Sequence, residues 1–542
     1  MRPRPLPILA PEETMLAALA VLLLAQESSP SDVRGRTPAV APGLEELEGL
    51  AREFAELLCA RRPWLAVERG YRPDSPLGLG PWKGRDASAW RRRLEDLERR
   101  LALFSGERGA EVRAERDALA AAVELEGFLS DPWQAERWNA LEWVERADRT
   151  LRMQLESGTG RESSAEIAAI LGALPDAWEE ARKALVLCPD PWRTDAIARL
   201  AELEALLATI DLGGSPADET TRSRALEACM RFRDALAEIP HEETRPARPL
   251  GESRWLQMVD AAAGFHGTAQ ELESLLLRDV AALERNQRGL DSLARPPEAL
   301  AASTASEPSV EDLALEASRA AWKARFAAVL GEVEPPSFVV RSGDLPARLG
   351  QSSLFLPRTR DGAKLLVDPA FLVRSDARAW RRATLRAGIP GEGLLCWNPL
   401  RGAGSAARYL WNRALVEGWG WLALDDLRRG EDALLAAETA GELELESLRL
   451  LASLELHAQG LSLERTAERF ARRSGFSEER SLLEARRSLD DPLRGIGVLG
   501  YRELARLRDA AADERAFLEL VLAHPHFRPA DLAGTPGDDP GE

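Results

Sequence analysis

Glu392, Glu417 and His457 are the side chains in the C-terminal half whose types and order suit chemistry. Two carboxylates and an imidazole can pass protons when their surroundings drive their pKa values apart. Glu392 lies in I-P-G-E-G, Glu417 follows 25 residues later in V-E-G-W-G-W, and His457 closes S-L-E-L-H. Just upstream of Glu392 stands Arg386. Its guanidinium is always protonated and has no lone pair to give, so it is neither a base nor a metal ligand. The plain alternative is that Arg386 and Glu392 are ordinary charges on a solvated helix, and that His457 is a packed residue. Trp397, Trp419 and Tyr501 are candidates to line a cleft, although aromatic clusters usually pack a core. His241, His266, His524 and His526 show no metal-ligand spacing, and no phosphate loop, dinucleotide fingerprint or nucleophile elbow is present.

The elements that must hold these groups are helical. Ala, Leu, Arg and Glu dominate the sequence, whereas Tyr occurs only 3 times and Val and Ile are scarce. The expectation is a mainly α fold, a large helical body with a small two- to three-stranded β element next to a cleft. Helical periodicity runs from Leu44 to about Gln287; one helix is predicted to start at Thr194 as N-cap, with Ile197, Leu200, Leu203, Leu206 and Leu207 on one face. Three short apolar runs, 337–341, 353–357 and 364–368, separated by Gly, Pro and Asp-Gly turns, read as strands. An N-terminal helical subdomain is placed at 44–295 and a C-terminal one at 310–528, with the Pro-, Ala- and Ser-rich stretch 295–309 between them. Residues 27–43 read as a linker and 529–542 as a disordered tail.

The 542 residues carry a net charge of −18 and no basic stripe with interleaved aromatics, so no nucleic acid is expected as partner. Four scattered cysteines without C-x-x-C spacing predict buried free thiols. The apolar run Met15–Ala25 is too short to cross a bilayer as a helix but suits the core of a signal peptide spanning 1–26. Glu12 and Glu13 beside it run against the usual basic start. The expectation is a periplasmic or secreted protein with no integral membrane domain, and a cytoplasmic one if that segment is a plain extension. Nothing in the sequence sets an oligomeric state.

The run T-L-R-A-G-I-P-G-E-G-L-L-C-W (384–397), followed by N-R-A-L-V-E-G-W-G-W-L-A-L (412–424), resembles the active-site segment of a bacterial family catalogued as domain of unknown function 885. That family is read as gluzincin-like zinc metallopeptidases, with H-E-x-x-P-G-H on one helix and E-G-W on the next. A third stretch, 449–470, is similar to the family's D-x-x-x-H-x-x-G segment, with His457 and Gly460 in place and Ser453 where the acid belongs. Further on, Val498 and Leu499 stand where the family has a Tyr-Lys pair, and Tyr501 is off register.

The resemblance implies a zinc ion held by two histidines and a glutamate, with a second glutamate as general base on the metal-bound water. Aligned on Pro390-Gly391, Arg386 takes the first histidine's place, Ala387 the base's and Glu392 the second histidine's, while Glu417 matches the remaining ligand. The expectation is a degenerate site without zinc or another cofactor, in which Arg386 fills the vacated position and pairs with Glu392, Glu417 or both. Such a protein is non-catalytic and keeps its cleft for a peptide or protein ligand. Two alternatives stand beside it. One is an active peptidase or hydrolase with a relocated or metal-free site using Glu392, Glu417 and His457; the other is a structural envelope protein whose cleft has closed.

Overall fold

The computed structural model describes residues 43–534 apart from 72–77, 81–83, 105–108, 131–136, 158–160, 186, 211–215, 240–248, 292–309, 322–337, 344, 349–352, 360–361, 369–376, 398–409 and 432. The expected signal peptide, the linker up to residue 42 and the 295–309 boundary lie outside the described residues.

Helices form most of the chain. They run α1 (Leu44–Arg61), α2 (Pro63–Glu68), α3 (Gly84–Ala102), α4 (Ala110–Ser130), α5 (Ala140–Ser157), α6 (Arg161–Ala184), α7 (Asp190–Thr209), α8 (Pro216–Glu238), α9 (Glu252–Ala263), α10 (Ala269–Asp291) and α11 (Val310–Ala321). A small β element follows: β1 (Phe338–Ser342), the short α12 (Leu345–Arg348), β2 (Ser353–Thr359) and β3 (Gly362–Val367). The chain then returns to helix with α13 (Ala377–Ala387), α14 (Glu392–Trp397), α15 (Arg413–Glu431), α16 (Ala433–His457), α17 (Leu463–Ser474), α18 (Glu478–Asp490), α19 (Gly497–Ala510) and α20 (Glu514–Ala523). The fold is mainly α with one small sheet, as the composition requires.

Local chemistry sets several helix ends. The Ser462, Ser477 and Asp513 side chains each accept a backbone N–H of the first turn at 3.3, 3.3 and 2.8 Å, while Gly264 and Gly475 close helices in the left-handed region. The predicted N-cap at Thr194 is corrected. α7 begins four residues earlier, at Asp190, because Pro191 fits a first turn that needs no N–H and Asp190 faces the positive end of the helix. Tertiary packing buries Trp192, Ala196, Leu200, Leu203 and Leu207 and leaves Ile197 and Leu206 half-buried.

The sheet has the order β1-β3-β2, with β1 parallel and β2 antiparallel to β3. Alternation gives it two apolar faces. Leu354, Leu356 and Leu366 pack on Trp64 of α2 and Met153 of α5. Phe338, Val340, Phe355, Leu365 and Val367 pack on Ala387, Ile389 and Leu394, the segment that carries the Pro-Gly turn. The largest apolar cluster joins α5–α10 to residues 448–499, so long-range burial ties the N-terminal helices to the C-terminal ones.

Two glycines bring α15 and α19 into backbone contact. A Cβ on Gly500 would lie 1.8 Å from the carbonyl oxygen of Ala414, and one on Gly418 would lie 2.5 Å from the Gly500–Tyr501 peptide. The tail expected to be disordered from Pro529 is corrected in part: Pro529–Gly534 forms a 3-10 turn. Leu532 is buried there, and Arg528 grips Asp531 at 2.6 Å. Burial of one leucine and one ion pair outweighs the Pro/Gly composition. Among the described residues no helix is long and apolar enough to cross a membrane.

Glycine substitutions separate close approach from mere helix content. Gly500→Ala is expected to lose roughly 2–3 kcal/mol in urea unfolding, because rigid backbone must move. Gly172→Ala, at an exposed position of α6 where a Cβ meets nothing within 4 Å, is expected to gain up to about 1 kcal/mol.

Candidate functional site

The chain turns sharply between α13 and α14. Gly391 has no room for a side chain, since a Cβ would lie 1.9 Å from the Arg386 carbonyl oxygen. The turn is pinned from two sides: the Ser318 hydroxyl donates to the Ile389 carbonyl, and the Trp419 indole N–H donates to the Pro390 carbonyl at 2.9 Å. α15 is launched by Asn412, whose Oδ1 accepts the Leu415 N–H at 3.0 Å while its amide donates to the Ala262 carbonyl at 2.8 Å.

These supports bring Arg386 and Glu392 together. Arg386 Nη2 lies 3.4 Å from Glu392 Oε1, and the guanidinium carbon sits 4.1 Å from the centre of the Trp421 ring. Gly420 makes the space, for a Cβ there would meet Glu392 Cγ at 2.8 Å. Burial drives the Glu392 carboxyl up to about 7, against the pull of Arg386, and the nearby Glu417 and Glu446 push it the same way. Burial also works against the Arg386 charge, but Glu392, Glu446, Glu442 and Glu417 together hold its pKa above the ordinary value.

Glu417 goes elsewhere. Arg413, one turn earlier on α15, donates to it through Nε at 2.7 Å and reaches Asp491 at 2.8 Å with Nη1. Of the two partners expected for Arg386, then, Glu392 makes the contact. A third pairing lies alongside: Arg449 bonds Glu446 at 2.7 Å and forks onto Glu484 with two bonds of 3.0 Å. Arg494 adds a further bond to Glu484 at 2.9 Å. Burial would raise Glu484, but Arg449 and Arg494 outweigh it and hold the carboxyl at about 2.

The other predicted site residues separate from this cluster. Ala387 is buried against the sheet, among Phe355, Leu365 and Ile389. His457 has no exposure, and its Nε2 lies 3.1 Å from the Ser488 carbonyl. Burial lowers its pKa to about 4, so it is neutral at ordinary pH. Trp419 is 1% exposed and serves the core where a cleft-lining role was predicted, while Tyr501 is half-buried and packs beside Trp421 and Leu385. Trp397 ends α14, and its side chain lies outside the described residues.

A cavity of about 600 Å³ has Arg413 in its lining. Most of its lining comes from α5, α7, α18 and the turn after α18, with single residues from α1, α2, α4, α12 and α15; Trp64, Arg149, Arg487 and Arg494 are among the residues facing it. Sequence reasoning missed Arg413, Arg449, Glu484 and this cavity. Only the Arg413–Glu417 and Glu446–Arg449 spacings, one helical turn each, were available as signals.

Zinc, the metal that the motif frame implies, does not fit these residues. A guanidinium stands at one ligand position, the next carboxylate faces it, and the third is taken by Arg413. Among the described residues no group of three or more His, Cys, Asp or Glu side chains is arranged to hold a metal ion. All four cysteines are free; Cys59, Cys188 and Cys229 are buried.

No protein-family model matches the chain, and no curated protein does either. Solved structures do match. A candidate lipoprotein from Colwellia psychrerythraea aligns with a TM-score of 0.70 at 13% identity, covering 91% of this chain and 98% of its own. A candidate lipoprotein of unknown function from Shewanella oneidensis aligns with a TM-score of 0.62 at 14% identity, over 90% of this chain and 98% of its own. The chain shares their fold.

Glu392 has a testable signature. Its carboxyl titrates at an ordinary 4.5 when unfolded and at about 7 when folded, so the native state holds the extra proton between those values. The stability this group contributes is therefore full below pH 4.5 and lost as pH rises through 7. Glu392→Gln fixes the neutral form and is expected to flatten that fall, read as the urea-unfolding free energy across the same window.

Proposed function

We propose that this chain is a non-catalytic binding protein of the bacterial envelope, built on a zinc-metallopeptidase-like helical scaffold whose metal position is now held by a side-chain cation. The observation that carries the reading is the Arg386–Glu392 pair seated on Trp421, with Glu417 engaged by Arg413. The Pro390-Gly391 and Glu417-Gly418-Trp419 frame that first resembled the metallopeptidase family supports the scaffold. The candidate lipoproteins that share the fold support an envelope location. The cavity beside Arg413 supports binding over a closed structural role. In this reading the cleft takes a peptide or protein ligand without cutting it.

One observation favours the metal-free hydrolase as second reading: a Glu392 carboxyl at about 7 is well poised for proton transfer. His457, sealed from solvent, offers it no help.

Purified protein is expected to carry far less than one zinc per chain by elemental analysis and to leave a peptide library uncut. Stoichiometric zinc, or cleavage abolished by a chelator, would overturn the proposal. Chelator-insensitive cleavage lost in Glu392→Gln would establish the hydrolase. The double variant Arg386→His with Glu392→His is expected to take up zinc with Glu417 as third ligand. Ala387→Glu is kept out of that variant because the position is buried against the sheet.

A further inference from the structure

The wall of the cavity beside Arg413 is built from arginine. Nine arginines and no lysine line it, against seven Asp or Glu, in a chain whose net charge is −18. Most of these cations already hold an acid: Arg62 pairs with Glu126, Arg149 with Glu68, Arg199 with Glu202, Arg413 with Glu417 and Asp491, Arg486 with Asp195 and Arg494 with Glu484. Arg146 and Arg149 lie 5.9 and 5.4 Å from the centre of the Trp64 ring, and Arg146 donates to the Arg61 carbonyl. The Arg487 guanidinium makes no hydrogen bond among the described residues, and Glu484, the carboxylate it approaches, is 4.0 Å away and already holds Arg449 and Arg494.

Two of the seven acids weaken the negative side further. Burial raises Glu145 to about 8 and Asp490 to about 7, each pushed by the other carboxylates nearby, so protonated forms are populated at neutral pH. Arg487 and Arg494 are shifted the opposite way from an ordinary ion pair. Burial is the chief cause and the repulsion of the neighbouring Arg449 adds to it, together outweighing the pull of Glu484. An anion placed among them would relieve that repulsion.

We propose that this cavity is a binding site for a small oxyanion ligand, one bearing a carboxylate or phosphate group that the Arg487 guanidinium grips with its planar fork, Trp64 supplying the apolar wall. Arg487 supplies unused paired donors, which match two oxygens of such a group side by side. A volume of about 600 Å³ suits a small molecule or the acidic part of a larger one. The inference rests on the binding reading above only in treating the cavity as a ligand site, and metal content is measured separately, so either can fail alone.

Full-length protein is titrated with inorganic phosphate and with succinate by calorimetry and thermal shift, at ionic strength held constant with sodium chloride. Either oxyanion is expected to bind and raise the melting temperature beyond the chloride control, and the tighter of the two identifies the group. Arg487→Gln is expected to weaken that binding by roughly tenfold or more, the usual worth of a charge-assisted hydrogen bond. Arg515→Gln, at an exposed pair with Glu519, is expected to leave it unchanged. Arg487→Lys keeps the charge but loses the fork, and is expected to fall between wild type and Arg487→Gln, which guards against a variant that merely misfolds. No stabilisation beyond chloride, or an Arg487→Gln affinity within about twofold of wild type, would overturn the proposal.

Discussion

The close crossing of α15 over α19 at Gly418 and Gly500 is the constraint on which the rest of the site depends. With both Cβ atoms absent, one helix backbone rests on the other, and no side chain could be inserted without moving one of them. Consecutive residues on a helix point about 100° apart, so fixing one face of α15 fixes its neighbours. Gly418 meets α19, Trp419 reaches the Pro390 carbonyl, Gly420 clears space for Glu392, and Trp421 lies under Arg386. One turn of helix therefore positions the α13–α14 turn, the ion pair and the aromatic plate beneath it.

This also accounts for what the sequence showed and what it concealed. P-G and E-G-W were legible because they are packing elements: each glycine is needed where backbone meets backbone or side chain, whatever chemistry sits alongside. The strands were legible from their β-branched and apolar runs, and the helices from composition. Arg413–Glu417 lay one turn apart and was open to notice. The Arg449–Glu484 fork joins residues 35 apart, and the cavity draws its walls from residues as distant as Trp64 and Arg494. No local pattern encodes such meetings, because tertiary packing alone decides them. The start of α7 was misplaced for a different reason: a threonine that suits a cap competes with a Pro-Asp-Pro entry that suits one better. Trp419 suits a cleft in the sequence but fills the core, because aromatic residues beside a motif look alike whether they line a cavity or pack.

Charge gives the cluster its internal logic. Glu392, Glu417 and Glu446 come from three successive helices, and the latter two are near enough to raise the proton affinity of Glu392. Three partly buried carboxylates in one place repel and must be compensated. In the proposed reading a single divalent ion once met part of that need. Here three guanidiniums divide it, Arg386 at Glu392, Arg413 at Glu417 and Arg449 at Glu446. The three are not equal. Arg413 and Arg449 donate good hydrogen bonds at 2.7 Å, whereas Arg386 approaches Glu392 at 3.4 Å and leans on Trp421 instead. The weakest pairing is the one whose carboxyl rises to about 7.

That inequality has a structural cause. Arg413 and Arg449 each sit one turn from their partner on the same helix, so their geometry is set by helical pitch and needs no tertiary adjustment. Arg386 and Glu392 sit across a turn held by Pro390 and Gly391, whose shape is fixed by the sheet, by Ser318 and by Trp419 rather than by the ion pair. The frame sets the distance and the charges accept it. A scaffold so determined by packing can change the residues beside this turn without changing its course. Motif frame and motif chemistry can therefore part company within one stretch of chain.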